Sequence, residues 1–310
     1  MDGIDHIIVL MLENRSFDHM LGLLDHPKKG EFPEAFLAGQ DTRNPRPDGP
    51  DVEMKHQDSS VYMTDKEPGH THKDVMSQMF HQSSRGDPPN MRGFAWNYVE
   101  EHGSDKPEAV MRAYSEAQAP VINKLARHFQ LCTNWFCSVP GQTWPNRFFA
   151  MAGESARRVN IDVFGVPFEL PDAIFPILEK RGVSWKIYHD GPCLALLIEG
   201  MLEPGMKKGF RNLDNLIDDI KSKQLPAFSW VEPDHFGKDS SSQHPGYMDE
   251  SHDAWGFISA DNLIGRIYDT LKMDPEQFRK TLFVVTYDEH GGLYDHVSPP
   301  DNFPRPYPEH

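Results

Sequence analysis

The stretch His6-Ile7-Ile8-Val9-Leu10-Met11-Leu12-Glu13-Asn14 decides the fold. Ile7 to Leu12 are apolar without alternation, as expected of a strand buried on both faces of a parallel sheet. A second run of the same kind, Thr281-Leu282-Phe283-Val284-Val285-Thr286-Tyr287, ends in Asp288-Glu289-His290. Two shorter runs, Val183 to Tyr188 and Ala227 to Val231, also read as strands. Helical spacing fills the intervals. Pro120 to Phe129 carries Val121, Leu125 and Phe129 four apart, with proline at the first position, where no N–H is needed. Ala173 to Arg181 places Ile174, Ile177 and Leu178 on one side, and Gly182 stops it. Asp261 to Met273 repeats the pattern with Leu263, Ile264, Ile267 and Leu271. The alternation predicts an α/β fold, with a largely parallel central sheet and helices on both faces. Residues 1–310 read as a single domain. The segment from Gly39 to Pro89, rich in Pro, Asp, His and Gly, reads as a long polar loop insertion. Asp234 to Asp253 is a second polar stretch.

Charge narrows the partners. The 31 Lys and Arg stand against 47 Asp and Glu, a formal net charge of −16. Such a chain has no basic face for nucleic acid and is repelled by an anionic bilayer. The hydrophobic fraction is 38%, yet 19 Phe and 6 Trp supply core material, which excludes disorder throughout. Cys132, Cys137 and Cys193 are too few for a disulfide framework and read as reduced thiols. No apolar run approaches the length of a membrane span. The start, Met1-Asp2-Gly3-Ile4-Asp5, is acidic and lacks a signal-peptide pattern, so the chain as written is expected in the cytoplasm. A leader already removed would make it periplasmic or secreted.

Each strand is followed by polar residues. Glu13-Asn14-Arg15-Ser16 follows the first, His189-Asp190 the second, Glu232-Pro233-Asp234-His235 the third and Asp288-Glu289-His290 the fourth. In a parallel sheet these sets emerge along one edge, where ligand sites of open α/β sheets lie. Glu13 and Asn14 fit either a strand-to-helix turn capped by Ser16 or a pair of oxygen ligands for a hard cation. Adjacent Asp288 and Glu289 repel each other unless a cation or proton lies between them. In Gln142-Thr143-Trp144-Pro145-Asn146-Arg147, Thr143 reads as a helix N-cap with Pro145 in the first turn. A hydroxyl there sits in positive potential, which favours an alkoxide or a bound phosphate. Arg147 suits phosphate oxygens or an ordinary ion pair. Of 16 histidines, His70, His72, His189 and His244 stand out by placement, though each taken singly fits a structural role better than a catalytic one.

These motifs together resemble a known family. Asp5 to His19, with Glu13-Asn14-Arg15-Ser16-Phe17-Asp18-His19 at its end, is similar to the opening motif of bacterial phospholipases C and acid phosphatases, a family that includes the plant non-specific phospholipases C. Thr143-Trp144-Pro145-Asn146-Arg147 resembles its T/S-x-P-N-R nucleophile motif. Asp288-Glu289-His290-Gly291-Gly292-Leu293-Tyr294-Asp295-His296-Val297 resembles D-E-x-x-G-x-x-D-H-V, and Glu232-Pro233-Asp234 with His244-Pro245 resembles its E-P-D…H-P element. The resemblance implies an alkaline-phosphatase-like fold and phosphoester hydrolysis. It implies one divalent metal ion (Mg, Ca, Mn or Zn) held by Glu13, Asn14, Asp288 and Glu289, with Thr143 as nucleophile. It also suggests that His70 or His72, His189 and His244 line the phosphate pocket. Members usually continue past the last motif, whereas His310 follows Val297 by thirteen residues and Pro304-Arg305-Pro306 stands in the interval, which leaves a truncated C-terminus open.

The expected reaction is hydrolysis of a phosphomonoester or phosphodiester through a phosphothreonine, with His189 or His244 protonating the leaving alcohol and His70, His72 and Arg147 on the substrate. The expected substrate is a phospholipid, met as dispersed molecules or zwitterionic headgroups, or a small soluble phosphoester. The competing expectation is a truncated, non-catalytic binder of phosphate or phospholipid headgroups. A sulfatase or phosphomutase relative fits the residues around Thr143 less well.

Overall fold

The structure is a computed structural model that describes residues 3–56, 64, 66–84, 86–103, 106–162, 166–235, 240–245 and 253–300. Five strands build the central sheet: β1 (His6–Leu12), β2 (Trp185–His189), β3 (Phe210–Asn212), β4 (Phe228–Glu232) and β5 (Thr281–Tyr287). Their order is β3-β2-β4-β1-β5, and every pairing is parallel. The register aligns the strand ends. Leu12 lies beside Tyr287, Leu10 beside Val231, and His189 beside Glu232. The residues following β1, β4 and β5 therefore leave the sheet side by side.

Seven helices matter to the site and its support: α1 (Phe17–Leu21), α2 (His72–Met79), α3 (Pro120–His128), α4 (Thr143–Ala152), α5 (Ile174–Lys180), α6 (Asp214–Lys221) and α7 (Asp253–Lys272). Successive side chains of a strand face opposite ways. Ile8, Leu10 and Leu12 thus join a core with Ile122 of α3, Leu216 and Ile220 of α6, and Ile264 and Ile267 of α7. Met11, with Ile187 and Trp230, joins a second core with Phe148 and Met151 of α4 and Phe175 of α5. The result is the expected α/β architecture, a parallel sheet covered on both faces, as in alkaline-phosphatase-like phosphoesterases.

Several details differ from the sequence reading. β5 stands at the end of the sheet order. Phe283, Val285 and Tyr287, each partly buried, pack on the first core, while on the other face Leu282 is 38% exposed and Thr286 is buried, so the strand is not buried along both faces. Its lack of alternation mimics a central strand. β3 has three residues, too few to show a period. α7 begins well before Asp261, because Phe257 and Ala260 extend the stripe of Ile264, Ile267 and Leu271 toward the N-terminus. Phe129 and Ile177, expected on buried helix faces, are exposed. The polar segment from Gly39 contains an antiparallel hairpin (Asn44–Arg46 with Gly49–Val52) and α2, so it is not all loop. Thr71 and Asp74 form a reciprocal cap on α2, which buries Val75 and Gln78. Gln142 occupies the cap position of α4, and Thr143 is its first helical residue. Pro304-Arg305-Pro306 lies outside the described residues. Cys132, Cys137 and Cys193 are free thiols. No helix among the described residues is long and apolar enough to cross a membrane.

Leu10 is fully buried in the strand that both cores share. Leu10→Ala is expected to destabilise the domain by about 2–5 kcal/mol, read as a lowered urea midpoint at unchanged slope. A loss below about 1 kcal/mol would contradict the central placement of β1.

Candidate active site

β1 delivers the first polar group. After Leu12 the chain turns, and Asn14 adopts a left-handed conformation (φ 55°). This turn directs the Asn14 N–H to Asp288 Oδ1 at 3.0 Å, and the Glu289 N–H donates to the same oxygen at 2.8 Å. The ends of β1 and β5 are thereby joined through one carboxylate. Gly291 (φ 67°) closes over the turn: a Cβ there would lie 2.2 Å from the Asn14 carbonyl oxygen, so only glycine fits. The Gly291 N–H donates to Glu289 Oε2 at 2.6 Å.

α4 brings Thr143 to the same place, where its Oγ1 donates to Asn14 Oδ1 at 3.3 Å. The loop that presents Thr143 is held by Asn146. Its Nδ2 donates to the Val139 and Gly141 carbonyls at 3.1 and 3.0 Å, and its Oδ1 accepts from the Val139 N–H at 2.8 Å. In Thr-x-Pro-Asn-Arg the asparagine thus shapes the loop that positions the hydroxyl.

One turn further, Arg147 is 0% exposed. Its Nε donates to Asp288 Oδ2 at 3.0 Å and its Nη2 to the Met11 and Leu12 carbonyls at 3.3 Å. Nη1 lies 3.7 Å from Glu232 Oε1, and Nη2 lies 3.8 Å from Glu13 Oε1. The expected contact with substrate phosphate gives way to a role inside the protein, because each arm of the fork faces a carboxylate or carbonyl at a strand end. His235 makes the matching connection, with Nδ1 3.0 Å from Glu13 Oε2 and Nε2 3.4 Å from Glu232 Oε1. Glu232 also accepts from the Leu194 N–H and Trp230 Nε1, both at 3.0 Å.

These contacts set the protonation states. Burial works against charge on Glu13 and Glu232, but His235 and Arg147 outweigh it and hold both at about 2. Burial likewise disfavours the His235 imidazolium, and the carboxylates of Glu13 and Glu232 overcome it, raising His235 to about 9. Asp288 is pushed up to about 7 by burial and by Glu13 and Glu289, against the pull of Arg147. Four buried carboxylates (Glu13, Glu232, Asp288, Glu289) are therefore opposed here by two cations, Arg147 and His235. The carboxylates outnumber those two cations, an imbalance of the kind a divalent ion relieves.

The donor set fits such an ion. Thr143 Oγ1 and Asn14 Oδ1 are near neighbours, Asp288 and Glu289 supply oxygens beside them, and hard divalent cations take oxygen ligands. Two buried polar atoms of this group, Glu289 Oε1 and Asn14 Nδ2, have no partner. An orphaned carboxylate oxygen is the atom a cation would satisfy. Both oxygens of Glu13 face protein cations, and both oxygens of Asp288 already have protein partners, so Glu289 Oε1 is the carboxylate oxygen of the set left without one.

The histidines divide. His70 Nδ1 lies 2.9 Å from the Pro68 carbonyl and its ring is 6.3 Å from that of His244. Burial opposes a charge on His70, but Glu289 and Glu67 outweigh it and its pKa is raised. His244, 3.5 Å from Glu67 through Nε2, is lowered chiefly by burial, although Glu13 and Glu67 pull the other way. His72 Nδ1 lies 2.7 Å from the Pro140 carbonyl, at the base of the loop that carries Thr143. His189 stands apart: Nδ1 is 3.1 Å from the Gly191 carbonyl and the ring packs on Phe210 of β3, two strands from β1. The sequence reading places His235 at the ligand edge without a role and passes over Glu67. His235 was signalled by its place after β4, directly beyond Glu232-Pro233-Asp234, whereas Glu67 sits in the polar segment with no pattern to mark it.

The parallel sheet thus sets a hydroxyl at a helix start beside Asn14, at the edge where β1 and β5 deliver their carboxylates. The chain belongs to the Phosphoesterase family, whose profile matches residues 4–308. It is 32% identical to non-specific phospholipase C4 of Arabidopsis thaliana over 97% of this chain and 56% of the relative. It is 30% identical to non-specific phospholipase C1 of the same plant, over 95% and 54%. Its identity to the non-hemolytic phospholipase C of Burkholderia pseudomallei (strain K96243) is 26%, over 96% and 45%. The chain thus spans about half the length of these curated relatives.

His235 yields a pH test. Its raised pKa means that its stabilising effect is complete below the unfolded value near 6.5 and is lost as pH rises through about 9. In chelator-treated protein, His235→Gln is expected to be less stable than the parent by up to about 3 kcal/mol at pH 6. The gap should close above pH 9. Equal gaps at pH 6 and pH 10 in denaturant titrations would contradict the buried imidazolium.

Proposed function

We propose that the chain hydrolyses phosphoesters, with Thr143 as the nucleophile and a phospholipid of the phospholipase C type as the favoured substrate class. The observation that carries the reading is the Thr143 hydroxyl at the start of the ten-residue helix α4, 3.3 Å from Asn14 Oδ1 and beside the Asp288–Glu289 pair. Asn14, Asp288 and Glu289, with Glu13 behind them, would hold one divalent cation. When bound it would supply Lewis acidity toward phosphoryl oxygens and toward the nucleophile.

The remaining work falls to the chain's own groups. Thr143 Oγ1 attacks phosphorus, the bond to the leaving alcohol oxygen breaks, and the phosphoryl group is carried on the threonine. His244, whose pKa burial lowers, accepts the threonine proton, and His70, whose pKa Glu289 and Glu67 raise against burial, donates to the leaving oxygen. Water then attacks the phosphothreonine and gives a proton to His70, the bond from phosphorus to Oγ1 breaks, and His244 returns its proton to Thr143. His72 is placed to orient the phosphate from the Pro140 side. The free N–H groups in the first turn of α4 favour the charge that develops on phosphoryl oxygens. For a phospholipid the leaving alcohol is diacylglycerol. The net charge of −16 favours zwitterionic headgroups over an anionic surface.

Release of p-nitrophenol from p-nitrophenyl phosphorylcholine and from p-nitrophenyl phosphate tests the reading. Thr143→Ala is expected to lose at least about a thousandfold in kcat, with metal content and thermal midpoint close to the parent. Retained turnover would remove the nucleophile assignment. No release by the parent protein with any added divalent metal would favour the non-catalytic headgroup binder instead.

A further inference from the structure

A second set of ligand atoms lies outside the Thr143 site. Asp18 of α1 and Asp295 and His296 of the loop beyond β5 each offer one ligand atom, all within 4.8 Å of one another. Asp18 is 0% exposed. Its Oδ2 accepts from the His296 N–H and faces His296 Nδ1, each at 2.7 Å, while Oδ1 is buried with no partner. Asp295 Oδ2 accepts from the Phe17 and Asp18 N–H groups at 3.1 and 3.5 Å, and Oδ1 from the Val297 N–H alone at 3.1 Å, which leaves Oδ1 a lone pair for a further partner. Among the described residues no lysine or arginine pairs with either carboxylate.

The orientation of His296 points the same way. Nε2 lies 2.7 Å from the Glu34 carbonyl oxygen. A carbonyl only accepts, so Nε2 carries the proton and Nδ1 is the atom turned to the carboxylates. A backbone carbonyl holding one ring nitrogen while the other faces acidic oxygens is the usual outer support of a metal-ligating histidine. Two carboxylates with one imidazole suit a borderline divalent ion better than Ca²⁺ or Mg²⁺, which prefer oxygen alone.

We propose that Asp18, Asp295 and His296 form a second divalent-cation site, for Zn²⁺ or Mn²⁺, that clamps α1 to the loop after β5. Asp18 follows Asn14 by four residues and Asp295 follows Glu289 by six. The clamp thus joins the two segments that carry the Thr143-facing ligands, and it stands whether or not those ligands hold an ion themselves.

Chelator-treated protein is crystallised and soaked separately in Mn²⁺ and Zn²⁺, and anomalous maps are taken at each metal's edge. A peak bounded by Asp18, Asp295 and His296 with either ion is expected, irrespective of any peak beside Asn14 and Glu289. A peak beside Asn14 and Glu289 alone, or none at all, overturns the proposal and leaves the cluster as an Asp18–His296 ion pair. In solution, Asp18→Asn and His296→Gln should each lose one bound equivalent by equilibrium dialysis, with far-ultraviolet dichroism unchanged. Unchanged stoichiometry in both variants also overturns it, and if a variant does not fold the parent's anomalous map decides.

Discussion

One buried guanidinium holds the site together. Arg147 reaches Asp288 at the end of β5, Glu13 and two carbonyls at the end of β1, and Glu232 at the end of β4. Without it, three carboxylates at neighbouring strand ends would face one another in a dry interior, where like charges cost most. Arg147 sits four residues after Thr143 on α4, so the helix that neutralises the strand ends also sets the position of the hydroxyl. Stability and chemistry share one element. Any shift of α4 would move Thr143 and Arg147 together, and Asn146 holds the loop before that helix through four hydrogen bonds.

Burial arranges the charges in two tiers. Beneath, Arg147 and the His235 imidazolium hold Glu13 and Glu232 fully ionised. Above, Asp288 and Glu289 are left short of positive charge, with Asp288 pushed toward neutral pH and one oxygen of Glu289 without a partner. The lower tier is complete within the protein, and the upper tier is where the proposed ion would add the missing positive charge. His70 and His244 border it in opposite protonation tendencies, a separation that suits one proton donor and one acceptor.

Much of this was legible in the chain. Ile7 to Leu12 and Thr281 to Tyr287 announce parallel strands because apolar residues run without alternation, and the polar residues after them mark the ligand edge. Thr143, Asn14, Asp288 and Glu289, far apart in sequence, do meet. The edge position of β5 was hidden, since periodicity reports how apolar a strand is and not how many neighbours it has. Arg147 was read as facing phosphate because sequence cannot show which way a helix turns its fork. His189 was grouped with the site by the strand-end rule. The rule holds for its backbone, yet β2 lies two places from β1 and the side chain packs outward on Phe210. His235 falls within the same rule, but sequence does not show that its two ring nitrogens face Glu13 and Glu232. The Asp18–Asp295–His296 cluster had no single-segment signal, as its members come from opposite ends of the chain.

The account's central claim is that the phosphoryl group passes through Thr143. Acid quenching during turnover of p-nitrophenyl phosphorylcholine, followed by peptide mass mapping, measures this directly. The account predicts a phosphorylcholine adduct on the peptide containing Thr143, formed in a burst with the first p-nitrophenol released and absent from Thr143→Ala. A burst with the adduct on another residue, or full turnover by Thr143→Ala, would contradict it.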